Sequence, residues 1–278
     1  MNARDVISAV WFLDDGRVSP SDLCSALVKG PRVLGANILE DTGVIAIYTE
    51  NGGVVGLETN QGAIRCDAIG LWSRENAAMA GVEAPLWPGE HFYLLTKPVE
   101  GIHVNLPTLS DHDGHLYIRD DSGGLLIGCF EPVGKPIAPE IVGENTPFQL
   151  LQEDWGHFEP MMTNALHRLP CLETAEVKIL LNGAESFTPD SSFLLGESAE
   201  TTGLFLGCGM NFVGIAISGG AGMALAHCIV HGHTPPLICT KLIPNVFPNA
   251  LIPLRHWRSA CPKFWVSIMP LSILRVSG

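Results

Sequence analysis

Four side chains in two alternating apolar runs could do chemistry. "EHFYLLT" (90–96) carries His91 and Tyr93, and "HLYIRDDSGGLLIGCFEP" (115–132) carries Tyr117 and Arg119. If both runs are strands, His91 and Tyr93 share one face, and so do Tyr117 and Arg119. A histidine titrates near neutral pH and can take or give a proton there. An arginine offers a planar fork that matches a carboxylate, although a surface arginine looks the same in a sequence. A second feature lies late in the chain. "GCGMNFVGIAISGGAGMALAHCIVHG" (207–232) leaves an apolar strand, passes through glycines and becomes an Ala-rich helical run. That is the shape of a phosphate-cradling loop, yet it matches neither the dinucleotide fingerprint nor the P-loop pattern.

The elements that would position these groups can be read along the chain. "SPSDLCSALVKG" (19–30) predicts a helix, capped by Ser19 or Ser21 and ended by Gly30. Residues 36–72 predict a β-meander, with turns at Asn51-Gly52-Gly53 and Asn60-Gln61-Gly62. "SRENAAMAG" predicts a short helix, 90–96 a strand, and 115–132 a hairpin turning at Ser122-Gly123-Gly124. "EDWGHFEPMMTNALHRL" (153–169) predicts an amphipathic helix, with Pro160 kinking it or marking its start. "AEVKILLNGAESFTPDSSFLLGE" reads as strand, loop, strand. This order suits a two-domain α+β enzyme whose first βαβ unit is absent.

Bulk properties narrow the function classes. The chain has 278 residues, 46% apolar and 16% charged, which favours a folded core over disorder. Its net charge of −13 argues against a nucleic-acid partner. No apolar run is long enough to predict a membrane span, and the N-terminus lacks a signal-peptide layout. Eight cysteines without a CxxC pair read as reduced thiols in a reducing compartment, the cytoplasm or, in a eukaryote, the mitochondrial matrix. His227, His231 and His233 cluster in sequence, but no acidic or thiolate partner has matching spacing. A helix end bearing imidazoles is therefore preferred to a metal site.

Taken together, "DGRVSPSDLCSALVKG", "CDAIGLWSRE", "EHFYLLTKPVEG", "LYIRDDSGGLLIGCFEP", "NGAESFTPDSSFLLGE" and "CGMNFVGIAISGGAG" resemble the dimethylglycine and sarcosine dehydrogenases. These are FAD-dependent flavoenzymes of the D-amino-acid-oxidase superfamily. The resemblance implies an α/β flavin-binding domain remnant plus an antiparallel-sheet substrate domain. It places the flavin-binding part at 1–84, the substrate sheet at 85–180, and a return to the flavin-binding part at 181–237. It implies FAD as cofactor, a small N-methyl amino acid as substrate, and oxidative demethylation with hydride passing to FAD. In many full-length relatives a folate-linked domain follows. By the same resemblance Phe212, Val213, Gly214, Ile215, Ala216 and Ile217 line the flavin, and Gly209 and Gly214 let the backbone approach its ring. Gly219, Gly220 and Gly222 would let the helix pack closely on the sheet. Val44 offers backbone atoms to the adenine, and Trp72 packs near the cofactor. His91 and Tyr117 orient or deprotonate the substrate amine, and Arg119 is a candidate for its carboxylate. No metal and no membrane are implied. The alternatives are a non-catalytic small-molecule-binding or complementation module, or an FAD oxidoreductase acting on another amino acid.

The sequence also departs from the family. It shows no GxGxxG-bearing βαβ unit, so the chain as given is expected to bind FAD weakly and to be inactive alone. "CDAIGLWSRE" is shorter than the family's strand and turn, and Pro31 follows the first predicted helix. Every Asp and Glu lies at or before Glu200, and residues 238–278 are basic and rich in Pro, Trp and Ile. With synonymous codons and a shift of one base, 252–278 can read "NSVEALAERVPEVLGKHYAIEHP", an acidic helix-forming linker. The tail 238–278 is therefore expected to come mostly from a shifted reading frame.

Overall fold

A computed structural model of the chain describes residues 1–66, 69–71, 74–138 and 150–233. Trp72 and the tail 238–278 lie outside the described residues. The described chain forms two compact units, one of residues 1–16 and 87–185, the other of 17–86 and 186–233.

The first unit is built on one sheet. Its strands are β5 (Trp87–Thr96), β6 (Leu109–Asp111), β7 (Leu116–Asp121), β8 (Gly124–Cys129), β9 (Lys135–Pro136) and β10 (Val177–Phe187). The order is β10-β5-β8-β7-β6, with β9 pairing β5. The β7–β8 hairpin closes as its sequence predicts. Asp121 faces Gly124, and the two loop residues, Ser122 and Gly123, have φ of 54° and 85°. Positive φ at both positions twists the turn to match its strands.

One face of this sheet is covered by helix α3 (Trp155–Arg168). Asp154 caps it, its Oδ1 accepting from the His157 N–H at 2.9 Å. Phe158, Met161 and Ala165 recur at helical spacing and bury against Phe92, Leu94, Leu116, Ile118 and Ile127. Each large apolar side chain so buried contributes roughly 1.5–3 kcal/mol. Pro160 neither starts nor ends the helix; it lies inside it, within the first turns. The alternate residues of β5 and β7, including His91, Tyr93, Tyr117 and Arg119, are on the opposite face. The N-terminal segment joins this unit through Arg168. Its guanidinium donates to Asp5 at 2.9 and 3.1 Å and to Asp111 Oδ2 at 2.6 Å.

The second unit holds helix α1 (Pro20–Val33), the antiparallel meander β1 (Val44–Glu50), β2 (Gly53–Thr59) and β3 (Gly62–Arg65), and the short helix α2 (Arg74–Met79). A second sheet has the order β11 (Leu194–Glu197), β12 (Leu204–Cys208), β4 (Ile69–Leu71), with β12 parallel to β4. Helix α4 (Gly214–His231) follows β12. Two sequence expectations need correction here. Helix α1 does not stop at Gly30 but continues through Pro31 to Val33. Its Ser19 cap is as expected, Oγ accepting from the Asp22 N–H at 3.3 Å. Nor do Gly219, Gly220 and Gly222 bring α4 onto its sheet: a Cβ at any of them would meet nothing within 4 Å. Contact is made instead by Ala221, Ala224 and Leu225, which pack on Phe193 and Leu195. By length and composition alone α4 is long and apolar enough to cross a membrane, although no unbroken apolar run in the sequence suggests it.

Candidate active site

The face of the first unit's sheet opposite α3 brings His91 and Tyr117 together from strands that are not neighbours. Strand β8 lies between β5 and β7, and Tyr93, Gly128 and Tyr117 stand in register across the three. Gly128 leaves room for the Tyr117 ring to lie over β8: a Cβ there would fall inside the ring. The ring thus reaches past β8, and its Oη lies 3.3 Å from His91 Nε2, with the two rings tilted by only 20°.

The other nitrogen of His91 meets a carboxylate. Nδ1 is 3.2 Å from Glu131 Oε2, and Glu131 is 1% exposed. Glu131 Oε1 accepts from the Phe92 N–H at 2.9 Å and from the Cys129 S–H at 3.3 Å. Burial opposes a charge on His91, but the hydrogen bond to Glu131 and the charges of Glu131 and Glu185 outweigh it and raise its pKa. Burial is the main cause that pushes the Tyr117 phenol above its ordinary range, and the nearby charges of Cys129 and Glu131 add to it. Burial, followed by Glu131, likewise pushes the Cys129 thiol well up, which disfavours its thiolate.

Arg119 shares the Tyr117 face. Its Nη1 donates to the Asp120 carbonyl at 3.1 Å and lies 3.8 Å from Asp121 Oδ1. The arginine therefore sits on the expected face, but its guanidinium is engaged with its own strand.

The second unit carries the glycine turn. Gly209, Asn211 and Phe212 have φ of 68°, 46° and 57°. Buried Asn211 pins the turn to Thr188, the residue that follows β10. Its Oδ1 accepts from the Thr188 N–H at 3.0 Å, and its Nδ2 donates to the Gly209 carbonyl at 2.6 Å. Val213 then precedes α4 and supplies no side-chain cap. The N–H groups of Gly214, Ile215 and Ala216 open the helix, and Ile217 N–H donates back to the Val213 carbonyl at 3.2 Å. Val44 opens β1 opposite Thr59, and its side chain packs on the meander's core. At the far end of α4 the rings of His227, His231 and His233 gather with centroids 4.4–6.1 Å apart. Among the described residues no group of three or more His, Cys, Asp or Glu is arranged to hold a metal.

Sequence reasoning missed Glu131, Gly128 and Asn211. Glu131 stands in the quoted stretch "GCFEP", but it is 40 positions from His91 and follows no periodic signal. Only the strand order β5-β8-β7 unites them.

A mixed sheet feeding a glycine turn and helix, together with an antiparallel sheet, matches the fold of flavoprotein oxidoreductases. The chain belongs to the DAO family of FAD-dependent oxidoreductases, whose pattern matches residues 2–228. It is 39% identical to the mitochondrial pyruvate dehydrogenase phosphatase regulatory subunit of Mus musculus, over 84% of this chain and 27% of that protein. It is 36% identical to the mitochondrial sarcosine dehydrogenase of Homo sapiens, over 84% of this chain and 26% of that protein. The chain thus spans about a quarter of the length of these relatives. The crystal structure of L-proline dehydrogenase from P. horikoshii shares the fold. Its TM-score is 0.65 at 23% identity, covering 80% of this chain and 57% of that one.

The described residues fit one end of the family's cofactor. The uncapped start of α4 presents N–H groups and a partial positive charge, and Met210, Phe212 and Val213 give the turn an apolar surface. A flat ring that becomes anionic on reduction matches both properties.

Proposed function

We propose that the chain is part of an FAD-dependent amine oxidoreductase that demethylates a small N-methyl amino acid of the sarcosine or dimethylglycine kind. The observation that supports it best is the His91–Tyr117 pair, 3.3 Å apart on the face of the substrate sheet opposite α3. FAD, when bound, supplies the hydride acceptor. Hydride loss from carbon is assisted by the lone pair on the neighbouring nitrogen, so the amine must be neutral. His91 and Tyr117 orient and deprotonate that amine, and Arg119 turns from its strand to hold the carboxylate. The domain assignment follows these roles, with 85–180 carrying substrate groups and 1–84 and 181–237 carrying flavin groups, although residues 1–16 pack with the substrate sheet. Phe212 to Ile217 line the flavin, and the N–H groups that open α4 stabilise negative charge developing on it. The Val44 backbone meets the adenine.

The relatives named mitochondrial support a matrix location if the source is a eukaryote, and the cytoplasm otherwise. A folate-linked domain would receive the carbon released as formaldehyde. A second reading, a non-catalytic binding module, is favoured by the 39% identity to a protein named as a regulatory subunit.

One experiment separates them. The chain is restored to the full length of its relatives and loaded with FAD, and sarcosine, dimethylglycine, glycine and proline are added without oxygen. Bleaching of the yellow flavin band by the N-methylated compounds first is the expected result. Bleaching by glycine or proline instead would shift the substrate class. Amine binding without any bleaching would establish the non-catalytic module.

A further inference from the structure

We propose that Glu131 is the positioning residue of this site: it fixes the proton on His91 Nδ1, so that Nε2, the nitrogen facing Tyr117, is the one atom of the ring that gains or loses a proton. The inference rests on the reading of His91 and Tyr117 as the amine-binding pair, and it adds to that pair a residue with no contact to substrate.

The argument is one of donors and acceptors. As a carboxylate Glu131 offers acceptors only, and its oxygens meet a backbone N–H, a thiol S–H and His91 Nδ1. The Phe92 N–H and the Cys129 S–H both point at Oε1, which leaves Oε2 for the imidazole. At 1% exposure no water competes for that oxygen on equal terms. A protonated Nδ1 satisfies this contact, and a bare Nδ1 sets two lone pairs against each other. Nδ1 therefore keeps its proton in both charge states of the ring. When the ring is neutral, Nε2 carries the lone pair and accepts from the Tyr117 hydroxyl. When the ring is charged, Nε2–H donates to the same oxygen. The same placing of a carboxylate behind an imidazole fixes tautomers in hydrolytic and metal sites.

The proton balance of the amine step follows. A substrate ammonium gives its N–H proton to Tyr117 Oη, while the Oη–H proton passes to His91 Nε2. One N–H and one O–H bond break, and one O–H and one N–H bond form. A neutral amine and an imidazolium remain, with the imidazolium beside Glu131, and no electrons change hands. Tyr117 never becomes a free phenolate, a species its burial disfavours.

Other charged or titratable groups act on the ring and must be kept in view. Glu185 on β10 favours the charged ring together with Glu131, while Cys129 and Arg119 act on Tyr117 from β8 and β7, and Tyr93 acts on it from β5.

The test reads His91 directly. Ring ¹⁵N shifts are followed against pH in the wild-type protein, in Glu131→Gln and in Glu131→Asp, with His91→Gln assigning the signals. In the wild type, Nδ1 is expected to carry its proton at every pH and only Nε2 to titrate. Glu131→Gln is expected to lower the proton affinity of His91 about 10-fold or more and to remove the tautomer preference. Glu131→Asp is expected to restore part of both. A bare Nδ1 in the neutral wild-type ring, or an unchanged titration in a folded Glu131→Gln protein, overturns the proposal. Should Glu131→Gln not fold, the wild-type tautomer and the Glu131→Asp titration decide alone. None of these readouts needs flavin or substrate. If they come out as expected while Tyr117→Phe leaves amine turnover intact, the positioning role stands and the functional reading fails.

Discussion

Tyr117 lies over Gly128, its register partner on the next strand, so closely that any Cβ at 128 would sit within its ring. The glycine is what lets the phenol cross β8 and meet His91 on β5. Gly128→Ala is expected to lift the ring off the strand and break the 3.3 Å contact with His91. Overpacking of this kind costs roughly 1–3 kcal/mol. Urea denaturation should show that loss, and the His91 ring signals should move as they do in Tyr117→Phe. A Gly128→Ala protein with wild-type stability and unshifted His91 signals would mean that the ring rests elsewhere.

The pair itself makes a kinetic prediction. In a restored full-length version loaded with FAD, Tyr117→Phe and His91→Ala are each expected to lower turnover of the N-methyl amino acid about 10- to 10⁴-fold, the range of acid–base contributions. The flavin should stay bound, because the unit that carries the glycine turn is untouched. Loss of the yellow colour in either variant would reassign these residues to cofactor binding. Unchanged kinetics in both would remove the pair from the chemistry.

The hairpin that carries Tyr117 was legible in the sequence because Ser122-Gly123-Gly124 is a local signal: the turn chemistry acts on adjacent residues. The same holds for the meander turn at Asn51-Gly52, with φ of 50° and 78°, and for the Ser19 cap. What was illegible is whatever depends on strand order. Glu131 carries no local signal of its own, and it reaches His91 only because β8 runs beside β5. Gly128 reads as an ordinary strand glycine until the neighbouring ring is placed. The end of α1 was misjudged because Gly30 resembles a stop signal, yet Arg32 Nη2, further on, holds the Glu40 carboxylate at 2.8 Å and the Ile38 carbonyl at 3.4 Å. The glycines of α4 suggested close packing, but packing goes through its alanines.

The ion pair of the site should be visible in the pH dependence of stability. The folded-state pKa of His91 is raised above its unfolded value. A group shifted this way contributes stability that is fully present below the unfolded pKa and is lost as pH rises through the folded pKa. The difference in unfolding free energy between wild type and Glu131→Gln should therefore be larger near pH 5.5 than near pH 8.5. It should narrow by about 1.4 kcal/mol for each tenfold of proton affinity that Glu131 confers. Denaturation midpoints at the two pH values measure this directly. A gap that stays constant, or widens toward alkaline pH, would show that the pair is not charged in the folded protein.

The glycine turn and the helix after it predict opposite responses to the same substitution. Gly209 has φ of +68°, and a Cβ there would come within 2.5 Å of Thr188 Cγ2 and 2.8 Å of Leu86 Cδ2. Both conformation and space exclude a side chain, and Thr188 cannot retreat without disturbing the Asn211–Thr188 hydrogen bonds that hold the turn. Gly209→Ala is expected to cost roughly 1–3 kcal/mol from left-handed strain and overpacking together. Gly220 stands in regular helix with nothing within 4 Å of a Cβ. Gly220→Ala is expected to stabilise the protein by roughly 0.5–1 kcal/mol, because alanine loses less backbone entropy in a helix. Thermal or chemical denaturation of the two variants beside the wild type checks the signs. If Gly220→Ala is instead as damaging as Gly209→Ala, a partner packs closely against that side of α4, and its glycines serve that contact.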